Sequence, residues 1–419
     1  MSEDPTPPSA TPGATALDVL EARGFVAQCT DRAAIVRDLN NGPVRFYVGF
    51  DPTADSLHIG HLLPVMAMYW LQQSGHEPVV VIGGGTGMVG DPSGKDKSRD
   101  FITEAQVAAN IEGQRPQFGR LLDLAASGQA PRSGQGVLLN NADWLLPLNY
   151  ISFLRDIGRH FSVNRMLSAE STRLRLERNQ GLSFIEFNYH LLQSYDFLVL
   201  RQQEGVTLQV GGNDQWFNIL GGIDLVRRVE GKEVHGLTVP LLQTADGKKM
   251  GKTEKGAVWL DANKCSPFDY FQYWVNVQDL DVERFLKLYT LLPLARIAEL
   301  AALKGAELRE AKRVLAYEAT KLAHGESAAR EADAAARKLF SGKGASPDAP
   351  SVELALPMGI LDVLVEAGLA KSKGEGRRLV KQGGVRVGDS KVADPSHQVT
   401  ESCLVWKGKK RVVQVNAAD

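Results

Sequence analysis

The chain has 419 residues, 48 basic against 49 acidic, so its formal charge is −1 and any nucleic-acid partner must be met by a local basic patch. Hydrophobic content of 43% and charged content of 23% are ordinary for a soluble globular protein; by length it holds about two to four domains. Cys29, Cys265 and Cys403 are far apart and odd in number, which argues against a disulfide framework or a paired-cysteine zinc site and fits a reducing cytoplasm; no apolar run is long enough to span a bilayer.

Residues 1–16 are rich in Pro, Ser, Thr and Ala without a basic start or an apolar stretch, which reads as a disordered extension and not a signal peptide. "VRFYVGF" (44–50) alternates as a strand, with Tyr47 and Gly49 on the face opposite Phe46 and Val48. A helix pattern follows over about 58–74. Residues 78–95 read as a buried strand running into glycines, and 136–144 as another strand. Helical patterns cover about 149–170 and 183–203, and 208–220 reads as strand, glycine turn and helix. "LTVPLL" (237–242) is a strand, and 243–260 a loop. Strands alternating with helices predict a parallel sheet covered on both faces, an α/β Rossmann-like domain whose ligands sit past the carboxyl ends of the strands. Residues 265–340 show no strand pattern and read as a helical domain; 341–351 has linker composition, and a small α+β unit of two short helices, a GG turn and a strand pair follows.

His58 and His61 stand three apart at the start of a helix with Gly60 between them. Three chemistries compete. A metal site lacks a third nearby ligand, such as a glutamate between the histidines. A core role fits poorly with a glycine that weakens the helix. A phosphate site fits better, because a helix N-terminus presents free N–H groups and positive potential, and residues at i and i+3 face the same way.

"HIGH" (58–61) after a strand, with the downstream lysine loop "KMGKT", resembles the signature pair of the class I aminoacyl-tRNA synthetases. "YVGFDPTADSLHIGH", "GDPSGK", "YHLLQSYDF", "GGNDQW" and "ADGKKMGKT", five motifs in order, are similar to those of the bacterial tyrosyl-tRNA synthetases. The resemblance extends over nearly the whole chain after residue 16. It implies activation of L-tyrosine by ATP, carried with Mg²⁺ and no tightly bound protein metal, then transfer to tRNA(Tyr). Neither step needs an enzyme nucleophile, so catalysis would be positioning and charge stabilisation.

By that resemblance His58, His61, Lys249, Lys252 and Thr253 would act on the phosphates, the lysines from a mobile loop; on composition alone the loop reads as a solvated basic segment. Lys95 and Arg99 resemble further phosphate or tRNA-end contacts, with a solvated surface an equal reading. Tyr47 and Asp196 would bracket the phenol hydroxyl of tyrosine; Asp91, Tyr189 and Gln193 would hold its ammonium group. Tyr189, Gln193 and Asp196 share one helical face, which could also be a polar face in water. Gly49, Asp51, Thr53, Gly60, Gln209, Gly212, Asp214, Gln215 and Lys252 would contact the adenylate. Two departures stand out: Gly251 and Thr253 replace the serines of the family's Lys-Met-Ser-Lys-Ser, and Pro64 should bend the turn by removing a bond to the Gly60 carbonyl.

From Lys371 to Lys391 seven basic residues stand against two acidic ones. Lys371, Lys373, Arg377, Arg378, Lys381 and Arg386 form a patch that resembles a small ribosomal-protein RNA-binding fold, extended by "KGKKR" (407–411); a solvated basic surface is the plain alternative. The resemblance implies a 17–260 catalytic domain with an inserted dimerisation segment, a 261–340 helical tRNA-binding domain, a 341–353 linker and a 354–419 basic RNA-binding domain. It also implies a homodimer, through residues near 151–167, although their periodicity equally allows a buried helix. The rival expectations are a tryptophan-specific relative and a non-catalytic RNA-binding protein on the same scaffold.

Overall fold

A computed structural model describes residues 14–91, 103–178, 181–244, 247, 250–253, 256–340, 350–388, 390–408 and 411–418. The chain divides into two compact units, one of residues up to Ser266 with Tyr273–Gly325, the other of Pro267–Gln272 with Glu326–Asp419.

The first unit is built on a six-stranded sheet: β1 (Gln28–Cys29), β2 (Arg45–Phe50), β3 (Glu77–Ile82), β4 (Val137–Asn140), β5 (Leu208–Gly212) and β6 (His235–Val239). Their order is β1-β6-β5-β2-β3-β4, with β2 to β6 parallel and β1 antiparallel at one edge. The parallel arrangement was expected from the β/α alternation. The two-residue edge strand carries no periodicity and was not legible. Val79, Val80, Val81 and Ile82 are all buried, as are Phe46, Tyr47 and Val48 on both faces of β2. Burial of each large apolar side chain contributes about 1.5–3 kcal/mol. Strand order reverses at β2, which has β3 on one side and β5 on the other, so a crevice opens beyond the carboxyl ends of β2 and β5.

Three helices position the site: α1 (Ile59–Gln73), α2 (Phe184–Glu204) and α3 (Trp216–Glu230). The α2 start is a capping box, in which Ser183 caps the Glu186 N–H and Glu186 returns a carboxylate to the Ser183 N–H. Such a cap contributes about 1 kcal/mol. The α2 helix packs against α3.

Several boundaries differ from the sequence reading. The strand placed at 136–144 stops at Asn140, whose Oδ1 accepts the Ala142 N–H at 3.0 Å and starts a turn. The strand placed at 237–242 runs from His235 to Val239 and stops before Pro240, which lacks an N–H for the ladder. The helix expected over 149–170 is broken into Tyr150–Asp156, a 3₁₀ turn at Gly158–His160, Val163–Leu167 and a further helix from Glu170. Ile157 is buried, with Phe153 and Phe161 packed on the same core, while Tyr150, Ile151 and Val163 are more than half exposed. α1 runs unbroken through Pro64. Helices Ala16–Arg23, opened by a Thr15 capping box, Arg32–Asn40 and Glu104–Phe118 were not singled out from the sequence.

Residues 261–340 carry helices and no strand. In the second unit a five-stranded sheet is ordered Ser390–Lys391, Val385–Val387, Cys403–Lys407, Arg411–Ala417 and Ser351–Leu354. Ser351–Leu354 pairs in parallel with Arg411–Ala417, so the sheet begins inside the stretch read as linker; Leu354 is buried in the core with Ile360, Val363, Leu364 and Val380.

Candidate active site

His58 is the N-cap of α1. Its Nδ1 accepts the Gly60 N–H at 3.0 Å and lies 3.3 Å from the His61 N. A neutral imidazole that accepts at Nδ1 carries its proton on Nε2. The His58 and His61 rings stack, with centroids 3.8 Å apart and planes 11° from parallel. Gly60 is required by this packing, since a Cβ there would meet His58 Cε1 at 2.8 Å.

The main chain here corrects the sequence reading. Ile59 N–H donates to the Val258 carbonyl at 3.0 Å, Gly60 N–H to the His58 ring, and His61 and Leu62 N–H to the His58 carbonyl at 2.8 and 3.1 Å. The N–H groups of Ile59, Gly60 and His61, the first three of the helix, are therefore held within the protein and not free for an anion.

The lysine loop is tied to this turn. Val258 accepts from Ile59 and donates its own N–H to the Gly251 carbonyl at 2.9 Å. His58 forms an isolated antiparallel bridge with Trp259. Gly251 sits at φ +93°, a conformation that costs a side-chain-bearing residue about 1–2 kcal/mol. Lys252–Thr253 pairs with Gly256–Ala257 as a short hairpin, inside what the sequence suggested was loop throughout. Lys249, with Lys95 and Arg99, lies outside the described residues.

The expected tyrosine pocket gathers in one place. Tyr47 on β2 and Asp196 on α2 are 1% and 4% exposed, so the face carrying Tyr189 and Asp196 is not a solvated one. Among the described residues the Tyr47 hydroxyl has no hydrogen-bond partner, and its ring packs edge-on to Phe197 at 5.2 Å. Burial, and then the Asp196 charge nearby, push the Tyr47 phenol well above its usual range. Asp196 accepts from Asn141 Nδ2 at 3.0 Å and from Trp144 Nε1 at 2.7 Å. Burial outweighs these donors and pushes its carboxyl up to about 7. Asn141 and Trp144 follow directly on β4 and were not proposed from the sequence. The available signal was a polar pair and an indole just after a half-buried parallel strand.

Tyr189 donates to Asp51 Oδ2 at 3.1 Å, and Thr86 donates to Asp51 Oδ1 at 2.9 Å. Burial, followed by the charges of Asp51, Asp91 and Asp196, raises the Tyr189 phenol well above its usual range. Asp51, expected on the adenylate side, is thereby joined to the residue expected on the ammonium side. Gln215 Nε2 donates to Asp91 at 2.7 Å, and Asn218 Nδ2 donates to both Gln193 and Gln215 at 3.1 Å. Gln209 is buried, and its Oε1 has no hydrogen-bond partner among the described residues. Gly212 and Asp214 follow at the β5 end, with Asp214 exposed; Gly49 and Thr53 are also exposed. Space beside Gly49 is open. Among the described residues no group of three or more His, Cys, Asp or Glu could hold a metal ion.

In the second unit, α4 (Lys373–Lys381) buries Gly376 and Val380 and exposes Lys373, Arg377, Arg378 and Lys381. Lys371 is exposed, Lys373 pairs with Asp362, and the Arg386 guanidinium lies 4.9 Å from the Trp406 ring centre. Lys409 and Lys410 of "KGKKR" lie outside the described residues.

A polar cluster at the strand-order reversal of a parallel sheet thus lies with a stacked histidine pair capping α1 and the Lys252–Thr253 hairpin tied to that cap. Residues 39–341 match the family described as tRNA synthetases class I (W and Y), and residues 358–402 match the S4 domain. The tyrosine–tRNA ligase of Caldanaerobacter subterraneus subsp. tengcongensis is 48% identical over 94% of this chain and 97% of that protein. That of Zymomonas mobilis is 51% identical over 94% and 96%. A C-terminally truncated Aspergillus nidulans mitochondrial tyrosyl-tRNA synthetase is similar in structure, with TM-score 0.69 and 31% identity over 78% of this chain and 94% of that one. The chain belongs to the class I tRNA synthetase family, in its tyrosine–tRNA ligase branch.

Proposed function

We propose that this protein joins L-tyrosine to ATP as tyrosyl-adenylate, releasing pyrophosphate, and then transfers the tyrosyl group to the 3′ end of tRNA(Tyr). The observation that carries the amino-acid assignment is the buried Tyr47 hydroxyl, unpartnered among the described residues, near the Asp196 carboxylate. A phenol hydroxyl both donates and accepts; here Asp196 can accept from it while Tyr47 donates to it. An indole N–H can only donate, so it could meet Asp196 or the Tyr47 oxygen but could not accept the Tyr47 proton, which argues against the tryptophan-specific reading.

Tyr189, Gln193 and Asp91 hold the ammonium group, which leaves the tyrosine carboxylate free to attack the α-phosphate. Gly49, Asp51, Thr53, Gly60, Gln209, Gly212, Asp214 and Gln215 line the side that takes the nucleotide. Of these, Asp214 is exposed at the end of β5, where a ribose hydroxyl can donate to it. Negative charge moves onto the leaving pyrophosphate, and the role of His58 and His61 is to donate ring N–H groups to it. Lys249, Lys252 and Thr253 complete the charge stabilisation from the loop, and Mg²⁺ arrives with ATP. The pinning of Ile59 through Val258 to Gly251 supports a mechanism in which loop and histidines move as one assembly.

The exposed basic face of α4, with Lys371 and Arg386, supports binding of the tRNA backbone by the second unit. Exposed Tyr150, Ile151, Val163 and Phe184 support a homodimer through the segment after β4, because such a run of exposed apolar side chains marks an interface. No helix among the described residues is long and apolar enough to cross a membrane, and the role in translation fits the cytoplasm. Tyrosine-dependent exchange of labelled pyrophosphate into ATP tests the assignment.

A further inference from the structure

The chain of hydrogen bonds running from Asp91 through Gln215 and Asn218 to Gln193 continues to one more residue. Asn218 lies in the first turn of α3 and is 6% exposed. Its Nδ2 has two hydrogens and two carbonyl acceptors, Gln193 Oε1 and Gln215 Oε1, each at 3.1 Å. That fixes which end of the carboxamide is nitrogen. The opposite atom, Oδ1, therefore faces His190 Nδ1 at 3.1 Å, and an acceptor there requires that His190 donate. The His190 ring is held between Phe217, 4.4 Å away, and Phe161, 5.5 Å away. Burial pushes its imidazolium down to about 4, so at neutral pH the ring is neutral with its proton on Nδ1.

We infer that Asn218 and His190 are positioning residues that fix the carboxamides of Gln193 and Gln215 together, so that the tyrosine side and the nucleotide side of the site share one donor. The inference rests on the proposed function. His190 sets the Asn218 carboxamide, and Asn218 sets both glutamines. Gln193 is left with one Oε1 lone pair committed and the other available to the tyrosine ammonium. Gln215 is held with its Nε2–H on Asp91. A flip of the Asn218 carboxamide would put its oxygen against two carbonyl oxygens and disturb both substrate sides at once.

Pyrophosphate exchange should be measured for the wild type, His190→Phe, His190→Asn, Gln193→Ala, Asn218→Ala and the Gln193→Ala/Asn218→Ala double variant, with melting temperatures beside it. His190→Phe keeps a ring for the aromatic packing but loses the donor, and should raise KM for tyrosine and for ATP by about fivefold to tenfold, the value of one lost hydrogen bond. His190→Asn restores an N–H near the Nδ1 position and should return both constants to within about threefold of wild type. Asn218→Ala should raise the tyrosine KM in the wild-type background but by less than about twofold once Gln193 is already alanine. Equal effects of His190→Phe and His190→Asn, or full additivity of Asn218→Ala with Gln193→Ala, would overturn the inference while leaving the proposed function standing. A wild-type protein without tyrosine-dependent exchange would overturn both.

Discussion

The indole N–H of Trp144 donates to one oxygen of Asp196 at 2.7 Å, while the Asn141 amide donates to the other at 3.0 Å. The carboxylate that is to read the tyrosine hydroxyl is thus held from both sides, yet burial still lifts it to about 7. Its carboxylate form is the better acceptor, so bound tyrosine should lower that pKa. Tyrosine affinity is then predicted to be full above about 7 and to weaken as pH falls through 7. The folded-state pKa lies above the ordinary carboxylate value, so the same group favours folding below about 4, and that contribution is lost as pH rises through 7. Tyrosine dissociation constants and melting temperatures between about pH 5.5 and 8.5 check both signs, and Asp196→Asn should flatten both profiles.

Tyr47→Phe should separate binding from stability. Removing a buried hydroxyl that has no partner among the described residues relieves a desolvation cost, so the melting temperature should hold or rise, by up to about 1 kcal/mol of stability. The tyrosine KM should increase by about threefold to tenfold, because the substrate hydroxyl loses its donor. Calorimetry beside pyrophosphate exchange reads both. A fall in stability without a change in KM would mean that Tyr47 is a core residue only.

Gly60→Ala should act through the histidine pair. The new Cβ would meet His58 Cε1 at 2.8 Å and drive the ring off its stack with His61. Displacing a ring from its rotamer costs about 0.5–1.5 kcal/mol, so kcat for exchange should fall by about tenfold with little change in tyrosine affinity. Single-turnover adenylate formation measures the two quantities separately.

Charge reversal on α4 should spare activation and weaken aminoacylation. Arg377→Glu with Arg378→Glu leaves the buried Gly376 and Val380 face untouched. Pyrophosphate exchange should be unchanged, while the KM for tRNA rises and its dependence on salt flattens by about 0.7–0.9 for each phosphate that is no longer neutralised. Aminoacylation at several salt concentrations reads the slope.

The sequence made the strands β2, β3 and β5, the helix α2 and the helical run after residue 261 legible, because apolar alternation, helical spacing and capping residues agree there. The pairing of Tyr47 with Asp196 rested on a family resemblance, since nothing in the spacing of a strand and a distant helix says that they meet. What stayed hidden was set by tertiary contacts. Val258 satisfies the Ile59 N–H from far along the chain, so the sequence reading of free N–H groups at the helix start could not anticipate it. Asn141, Trp144, Asn218 and His190 were hidden for the same reason, as single polar residues whose partners lie on other elements. The broken helix after Tyr150 packs Phe153, Ile157 and Phe161 on the core but leaves Tyr150, Ile151 and Val163 exposed, where periodicity suggests a buried helix as readily as an interface.

The most direct measurement is exchange of labelled pyrophosphate into ATP, without tRNA, with tyrosine, tryptophan and phenylalanine supplied separately. Exchange with tyrosine alone is the predicted result. Exchange with tryptophan would keep the synthetase class and overturn the roles given to Tyr47 and Asp196. No exchange with any of the three, from folded protein that still binds tRNA, would contradict the catalytic account.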